Sequence, residues 1–171
     1  MPLNRLIPAF IFLVAVGALA MTMTAQFVFH KEPCILCLYQ RVPYVLTGLL
    51  AVIALRLRAS SPLIPLIIIL CGLIYLSGAG IAFYNVGVEQ HWWVSGCTGS
   101  LSETVTLDQL RASLMHKAAK SCDDIDWTLY GVSMATYNVV FSGMLGLASI
   151  ASGIQLSKTG KTRQAKNDGA T

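Results

Sequence analysis

CILCLYQRVPYVLTGLLAVIAL, residues 34–55, decides how often this chain crosses a membrane. The uncharged run between Arg41 and Arg56 covers only Val42 to Leu55. That is about 21 Å of helix at about 1.5 Å per residue, short of a hydrocarbon core of roughly 30 Å. A helix that starts just after Pro33 spans with ease, because proline suits a first turn, where its missing N–H would have no partner anyway. Arg41 then lies about two turns in, near the membrane interface.

On either side of this stretch the charges leave wider gaps. None falls between Arg5 and His30, between Arg58 and Glu89, or between Trp127 and Lys158, and each gap exceeds the roughly 20 residues that a spanning helix needs. The whole chain is 55% hydrophobic and 12% charged, against roughly 25% charged in a soluble domain. The sequence therefore predicts an all-α membrane protein, a bundle of four transmembrane helices over residues 8–28, 35–55, 62–84 and 132–156. Residues 1–157 form one domain with an outer loop over 85–131, and residues 158–171 form a polar, basic tail expected to be disordered.

Orientation follows from the basic residues. Arg5, Arg56, Arg58, Lys158, Lys161, Arg163 and Lys166 fall on one side, and Lys31, Arg41, Arg111, Lys117 and Lys120 on the other. The short, purely basic turn at Arg56 to Arg58 is expected to be cytoplasmic, so both termini are too. A cleaved signal peptide ending near Ala18-Leu19-Ala20 is the competing reading of the first span. The apolar run from Pro8 to Val28 is too long for a typical signal core, and cleavage would leave an odd number of spans.

In the loop, Thr106-Leu107-Asp108-Gln109 fits a capping box, and Leu107, Leu110 and Leu114 share one helical face through about Ala119. A short amphipathic helix lying on the membrane surface is expected there. Trp92 and Trp93 follow the third span and read as interface anchors.

Of five cysteines, Cys71 stands alone in the third span and reads as a small packing residue. Cys34, Cys37, Cys97 and Cys122 fall on the outer side, where an oxidising compartment lets disulfides persist. Cys34 and Cys37 form a C-x-x-C at a helix start, where backbone N–H groups favour a thiolate. Arg41 lies one turn beyond Cys37, placed to stabilise that sulfur or an electron-rich acceptor beside it. Cys97 and Cys122, with 24 residues between them, have ample length to close a disulfide. Spacing alone leaves a structural staple and a catalytic pair equally open. With His91, His116, Asp123 and Asp124 the outer thiols could also bind zinc or copper, but no second C-x-x-C or regular histidine spacing supports this, and no metal is expected. Glu89, Asp123 and Asp124 read as solvated loop carboxylates, with proton relay as the alternative.

Several of these motifs occur in an order that resembles the DsbB family of bacterial disulfide-bond formation proteins. They are Pro33-Cys34-Ile35-Leu36-Cys37-Leu38-Tyr39-Gln40-Arg41 opening the second span, Cys97-Thr98-Gly99 in the loop, and Cys122 followed by Trp127, Gly131 and Met134. In the vitamin K epoxide reductase family, another quinone-type four-helix fold, the loop cysteines precede the C-x-x-C, whereas here they follow it. Two positions depart from the family pattern: Asn85 stands where a histidine is frequent, and Ala135 where a proline is.

The resemblance implies an enzyme of the inner membrane, with its cysteines periplasmic, that reoxidises a DsbA-like thiol oxidase and passes the electrons to ubiquinone or menaquinone. Cys97 and Cys122 then act on the partner, Cys34 and Cys37 recharge them, and Cys37 delivers electrons to the quinone. Arg41 and Met134 line the quinone site beside Cys37. Lipid, quinone and the thiol oxidase are the implied partners, and no nucleic acid is expected. A non-catalytic scaffold, whose loop disulfide merely braces a binding surface, is the alternative from another class.

Overall fold

The structure, a computed structural model, describes residues 3–59, 61–93, 122 and 128–168. The expected loop helix, Cys97, Trp127, His116, Asp123 and Asp124 lie outside the described residues. Helix α1 runs Leu3–Phe27, α2 Ile35–Tyr39, α3 Arg41–Arg56 and α4 Leu63–Glu89. A two-stranded hairpin of β1, Thr128–Leu129, and β2, Val132–Ser133, leads into α5, Met134–Asp168. Four helices among the described residues are long and apolar enough to cross a membrane: Asn4–Phe27, Ile35–Arg56, Leu63–Glu89 and Met134–Gly160.

The second span is therefore a jointed helix, α2 and α3, that begins at Ile35 with Cys34 as its N-cap. The joint at Gln40 has a local cause. Pro43 has no N–H to donate to the carbonyl of Tyr39, and its ring crowds that carbonyl, which loosens the helix one turn upstream. Gln40 itself keeps near-helical angles, φ −66° and ψ −17°, so the two pieces form one span.

The helices pack in the order α1, α3, α4, α5, with α4 and α5 in the most extensive contact. Small residues bring those two backbones together, as membrane helices require when lipid supplies no hydrophobic drive between them. A methyl group added at Gly72 would lie 2.6 Å from Ile150 Cγ1, and one at Gly146 would lie 2.7 Å from Leu76 Cγ. Ile11, Tyr44, Ala51, Ile64, Ile68, Cys71 and Tyr75 form the central core, and Cys71 is a free thiol within it. Outward-facing Leu13, Leu49, Leu66 and Met144 are more than half exposed, the belt expected of surfaces that meet lipid.

One end of the bundle is tied by α1: Asn4 Nδ2 donates to Ala59 O at 2.7 Å, and the Arg5 guanidinium to Leu55 O. Gly153 of α5 approaches Pro65 at the same end. Both described chain ends therefore lie with Arg56 and Arg58, and Cys34, Cys37 and Cys122 lie at the opposite end.

Two stretches differ from the sequence expectation. Helix α4 continues past Tyr84 to Glu89, so Asn85 and Glu89 belong to the span and not to the loop. Helix α5 continues through the basic stretch to Asp168, where a disordered tail was expected. Lys, Gln, Arg and Ala are good helix formers and extend a helix already nucleated within the bundle.

Candidate active site

Cys34 has extended backbone, φ −68° and ψ 167°, and its sulfur accepts from the Cys37 N–H at 3.3 Å. This N-cap geometry turns both side chains of the C-x-x-C to one side, and their sulfurs are 2.7 Å apart. Cys34 is buried and Cys37 half-buried, both as free cysteines. The hydrogen bond from the Cys37 thiol, helped by the backbone N–H groups of Cys37 and Leu36, pulls the Cys34 thiol down to about 6 against the opposing effects of burial and of Glu89. The N-cap position and the neighbouring thiol donor thus favour the thiolate form of Cys34.

This has a measurable consequence. Alkylation of Cys34 in the reduced protein should lose half its rate near pH 6, since the sulfur is protonated as pH falls through that value. Cys37→Ala removes the main donor and should move the midpoint up, toward the value of about 8.5 of a free thiol. Peptide-resolved alkylation across pH measures both.

Cys122 is disulfide-bonded, to a partner outside the described residues. Its side chain packs against Cys34 and Val88 in one buried cluster, with Leu36, Cys37 and Trp93 around it. Trp93 is held there by its indole N–H, which donates to Tyr84 O at 3.1 Å, and by stacking on Tyr84. Its ring lies flat on Gly87, where a methyl group would come within 2.0 Å of it. The backbone reaches this position through His91, at φ 56°. Trp93 therefore walls the cysteine cluster, a role beyond the anchoring expected for it; Trp92 is 60% exposed beside it.

Below the sulfurs a cavity of about 620 Å³ opens between α1, α2, α3, α4 and α5. Cys34, Cys37, Cys122, Arg41 and Met134 all line it. The structure thus brings together every expected site residue except Cys97, which lies outside the described residues. Arg41 is oriented by α1, with Nη1 donating to Gln26 Oε1 at 2.8 Å. No hydrogen bond from Arg41 to either sulfur is present among the described residues.

Among the other polar residues on the wall, sequence reasoning assigned Gln40 and Asn85 no binding role and read Glu89 as a solvated carboxylate with proton relay as the alternative. Asn138 Nδ2 donates to Gln40 Oε1 at 2.6 Å, and Tyr44 Oη donates to Asn138 Oδ1 at 2.7 Å. This network fixes the Gln40 amide so that Nε2 is buried without a partner, as are Asn85 Oδ1 and Glu89 Oε2. Buried polar atoms are normally paired, and unpaired ones around a cavity mark where a polar ligand would be received. The donors Arg41 and Gln40 Nε2 beside apolar walls such as Val14, Leu19 and Phe141 suit a flat apolar molecule bearing carbonyl groups.

The hairpin that enters α5 was also unread. Tyr130 and Gly131 have φ 52° and 79°, the two positive values that a two-residue primed turn needs. It pairs Thr128 with Ser133 and Leu129 with Val132. Ser133 then caps α5 by accepting from Thr136 N–H at 3.3 Å, and its hydroxyl also bonds Glu89. Among the described residues no group of three or more His, Cys, Asp and Glu converges as metal ligands.

The chain is similar over residues 4–152 to the family model described as Disulfide bond formation protein DsbB. A relative from Albidiferax ferrireducens, named Disulfide bond formation protein B, is 31% identical over 156 residues that cover 86% of each chain. One of the same name from Xylella fastidiosa is 29% identical, over 86% of this chain and 88% of the relative. Another from Haemophilus influenzae is 27% identical, over 91% and 92% respectively. No solved structure matches this chain.

Proposed function

The chain belongs to the DsbB family of disulfide bond formation proteins, and from that premise we propose that it reoxidises a DsbA-like thiol protein in the periplasm and passes the electrons to membrane quinone, ubiquinone or menaquinone. One observation carries this reading: a thiol pair, a disulfide at Cys122 and an apolar cavity share a single site. A structural staple has no need of a second, unbonded thiol pair packed against it.

A thiolate of the reduced partner attacks Cys97 in a disulfide with Cys122, and the mixed disulfide holds the partner on Cys97. The partner's second thiolate displaces Cys97, so the partner leaves oxidised and Cys97 and Cys122 are left reduced. Cys122 then attacks Cys34 in the oxidised C-x-x-C, a short transfer because the two side chains share one buried cluster. Exchange restores the loop disulfide and leaves Cys34 and Cys37 reduced. That pair closes again by giving two electrons to the quinone, which takes up two protons as the two thiols release two, and Cys37 is the sulfur that delivers the electrons.

Arg41 donates to a quinone carbonyl, Gln26 having fixed its guanidinium, and Met134 supplies part of the wall. Met21, Tyr137 and Phe141 line the cavity yet are 56%, 39% and 49% exposed on helices that meet lipid, so a bilayer-dissolved substrate has a lateral way in. Asn85 offers an amide where a histidine is frequent in the family, and its unpaired Oδ1 receives a donor, not a carbonyl oxygen.

Membrane-embedded protein supplied with reduced DsbA-type partner should reduce quinone over many turnovers, followed by absorbance. Cys97→Ser should reduce none, having no loop disulfide for the partner to attack. Absence of turnover in the parent with several partners and with both quinone types would favour the scaffold.

A further inference from the structure

Glu89 is the one acidic side chain lining the cavity among the described residues. It ends α4 inside the span, half-buried, with Oε2 sealed from solvent and without a hydrogen-bond partner, while Ser133 bonds the carboxylate from the hairpin. An ionisable group held inside a membrane span costs stability and points to a function in charge or proton movement. The groups that share its cavity are Cys34 and Cys37 from α2, Arg41 and Tyr44 from α3, Tyr137 from α5, and Cys122. Glu89 acts electrostatically on both Cys34 and Cys37, and its negative charge opposes theirs. A carboxylate and a thiolate lining one poorly solvated cavity disfavour each other, whereas moving the proton of a thiol to Glu89 keeps a single negative charge between them.

We propose that Glu89 is the proton carrier between the Cys34 and Cys37 thiols and the quinone. The proposal rests on the quinone-linked reading above and adds the route of one proton. Closing the sulfur–sulfur bond releases two electrons and two protons. The electrons pass to the quinone. Glu89, as carboxylate, accepts the proton of one thiol and, as carboxylic acid, donates it to the nearer quinone oxygen, returning to carboxylate. The other thiol proton leaves to outer water, and a water proton reaches the second quinone oxygen. Thiol–disulfide exchange between the loop pair and the partner does not involve Glu89.

The test is Glu89→Gln in the full chain in proteoliposomes, beside the parent and Glu89→Asp. Removal of a proton-transfer group typically costs about 100-fold or more in turnover. The expected result is a kcat for quinone reduction about 100-fold below the parent and loss of one ionisation limb that the parent's pH profile should show. Glu89→Asp should recover part of the rate and keep the limb. The initial oxidation of one equivalent of partner by the loop disulfide should be unaltered in all three, and it reports that the variants are folded. Glu89→Gln turning over within twofold of the parent with the same pH profile would overturn the proposal while leaving the quinone-linked reading intact. Loss of the initial partner oxidation in Glu89→Gln would overturn it in favour of a structural role. A parent that oxidises its partner but reduces no quinone would overturn both.

Discussion

Cys37→Ser protein should oxidise one equivalent of reduced partner and then stop, with steady-state quinone reduction lowered at least about 1,000-fold, the order of loss when a nucleophile acting within a unit is removed. The loop disulfide at Cys122 is untouched by this substitution, so the first exchange with the partner proceeds. Recharging needs a disulfide at Cys34, and without Cys37 none forms. Cys34 then remains a lone thiol packed against Cys122, positioned to attack the loop disulfide with nothing to resolve the product. Stopped-flow oxidation of the partner gives the single-equivalent burst, quinone absorbance gives the missing turnover, and peptide mapping locates any Cys34–Cys122 linkage. Continued quinone reduction in this variant would remove Cys37 from the electron route.

How much of this was legible beforehand depended on how locally each feature is encoded. The four spans could be read because hydrocarbon imposes its length on any chain that crosses it, and charges mark the ends. The C-x-x-C with Arg41 could be read because its members lie within two turns of each other. The hydrogen-bonded wall could not. Tyr44 and Gln40 meet Asn138 across 94 and 98 residues of sequence, and no periodicity encodes that meeting. Glu89 was misplaced for a different reason. Ending the third span at Tyr84 put the carboxylate in water, whereas five further helical residues carry it to the cavity. A charge-free gap that runs on to residue 89 was the available signal, since nothing between Tyr84 and Glu89 requires a helix to stop. The joint at Gln40 was also written in the sequence, as the proline three residues later. The Tyr130-Gly131 turn was the least legible, because strands of two residues carry no alternation to detect.

Arg41 supplies the second large effect, and its size follows from where its hydrogen bonds go. Its guanidinium is fixed by Gln26 and faces the cavity, without bonding to either sulfur among the described residues. Its contribution should therefore fall on the acceptor more than on the thiol pair. A charge-assisted hydrogen bond to a carbonyl on which negative charge develops is worth roughly 1.5–3 kcal/mol, or about 10–100-fold. Arg41→Met, which keeps the apolar stem but removes the charge and the donors, should lower kcat/KM for quinone by about that factor. The single-equivalent oxidation of the partner should be preserved, and so should the pH midpoint of Cys34 alkylation, which is set by Cys37 and the backbone. Arg41→Lys should recover only part of the loss, because an ammonium keeps the charge but cannot donate to Gln26 and a carbonyl through one planar fork. Gln26→Ala should have the same kind of effect at smaller size, since it loosens the guanidinium without removing it. A different outcome, in which Arg41→Met shifts the Cys34 midpoint while quinone kinetics stay within twofold of the parent, would move Arg41 from the acceptor to the thiolate. The cavity's donor to the quinone would then have to be the unpaired Gln40 Nε2, held in place by Asn138.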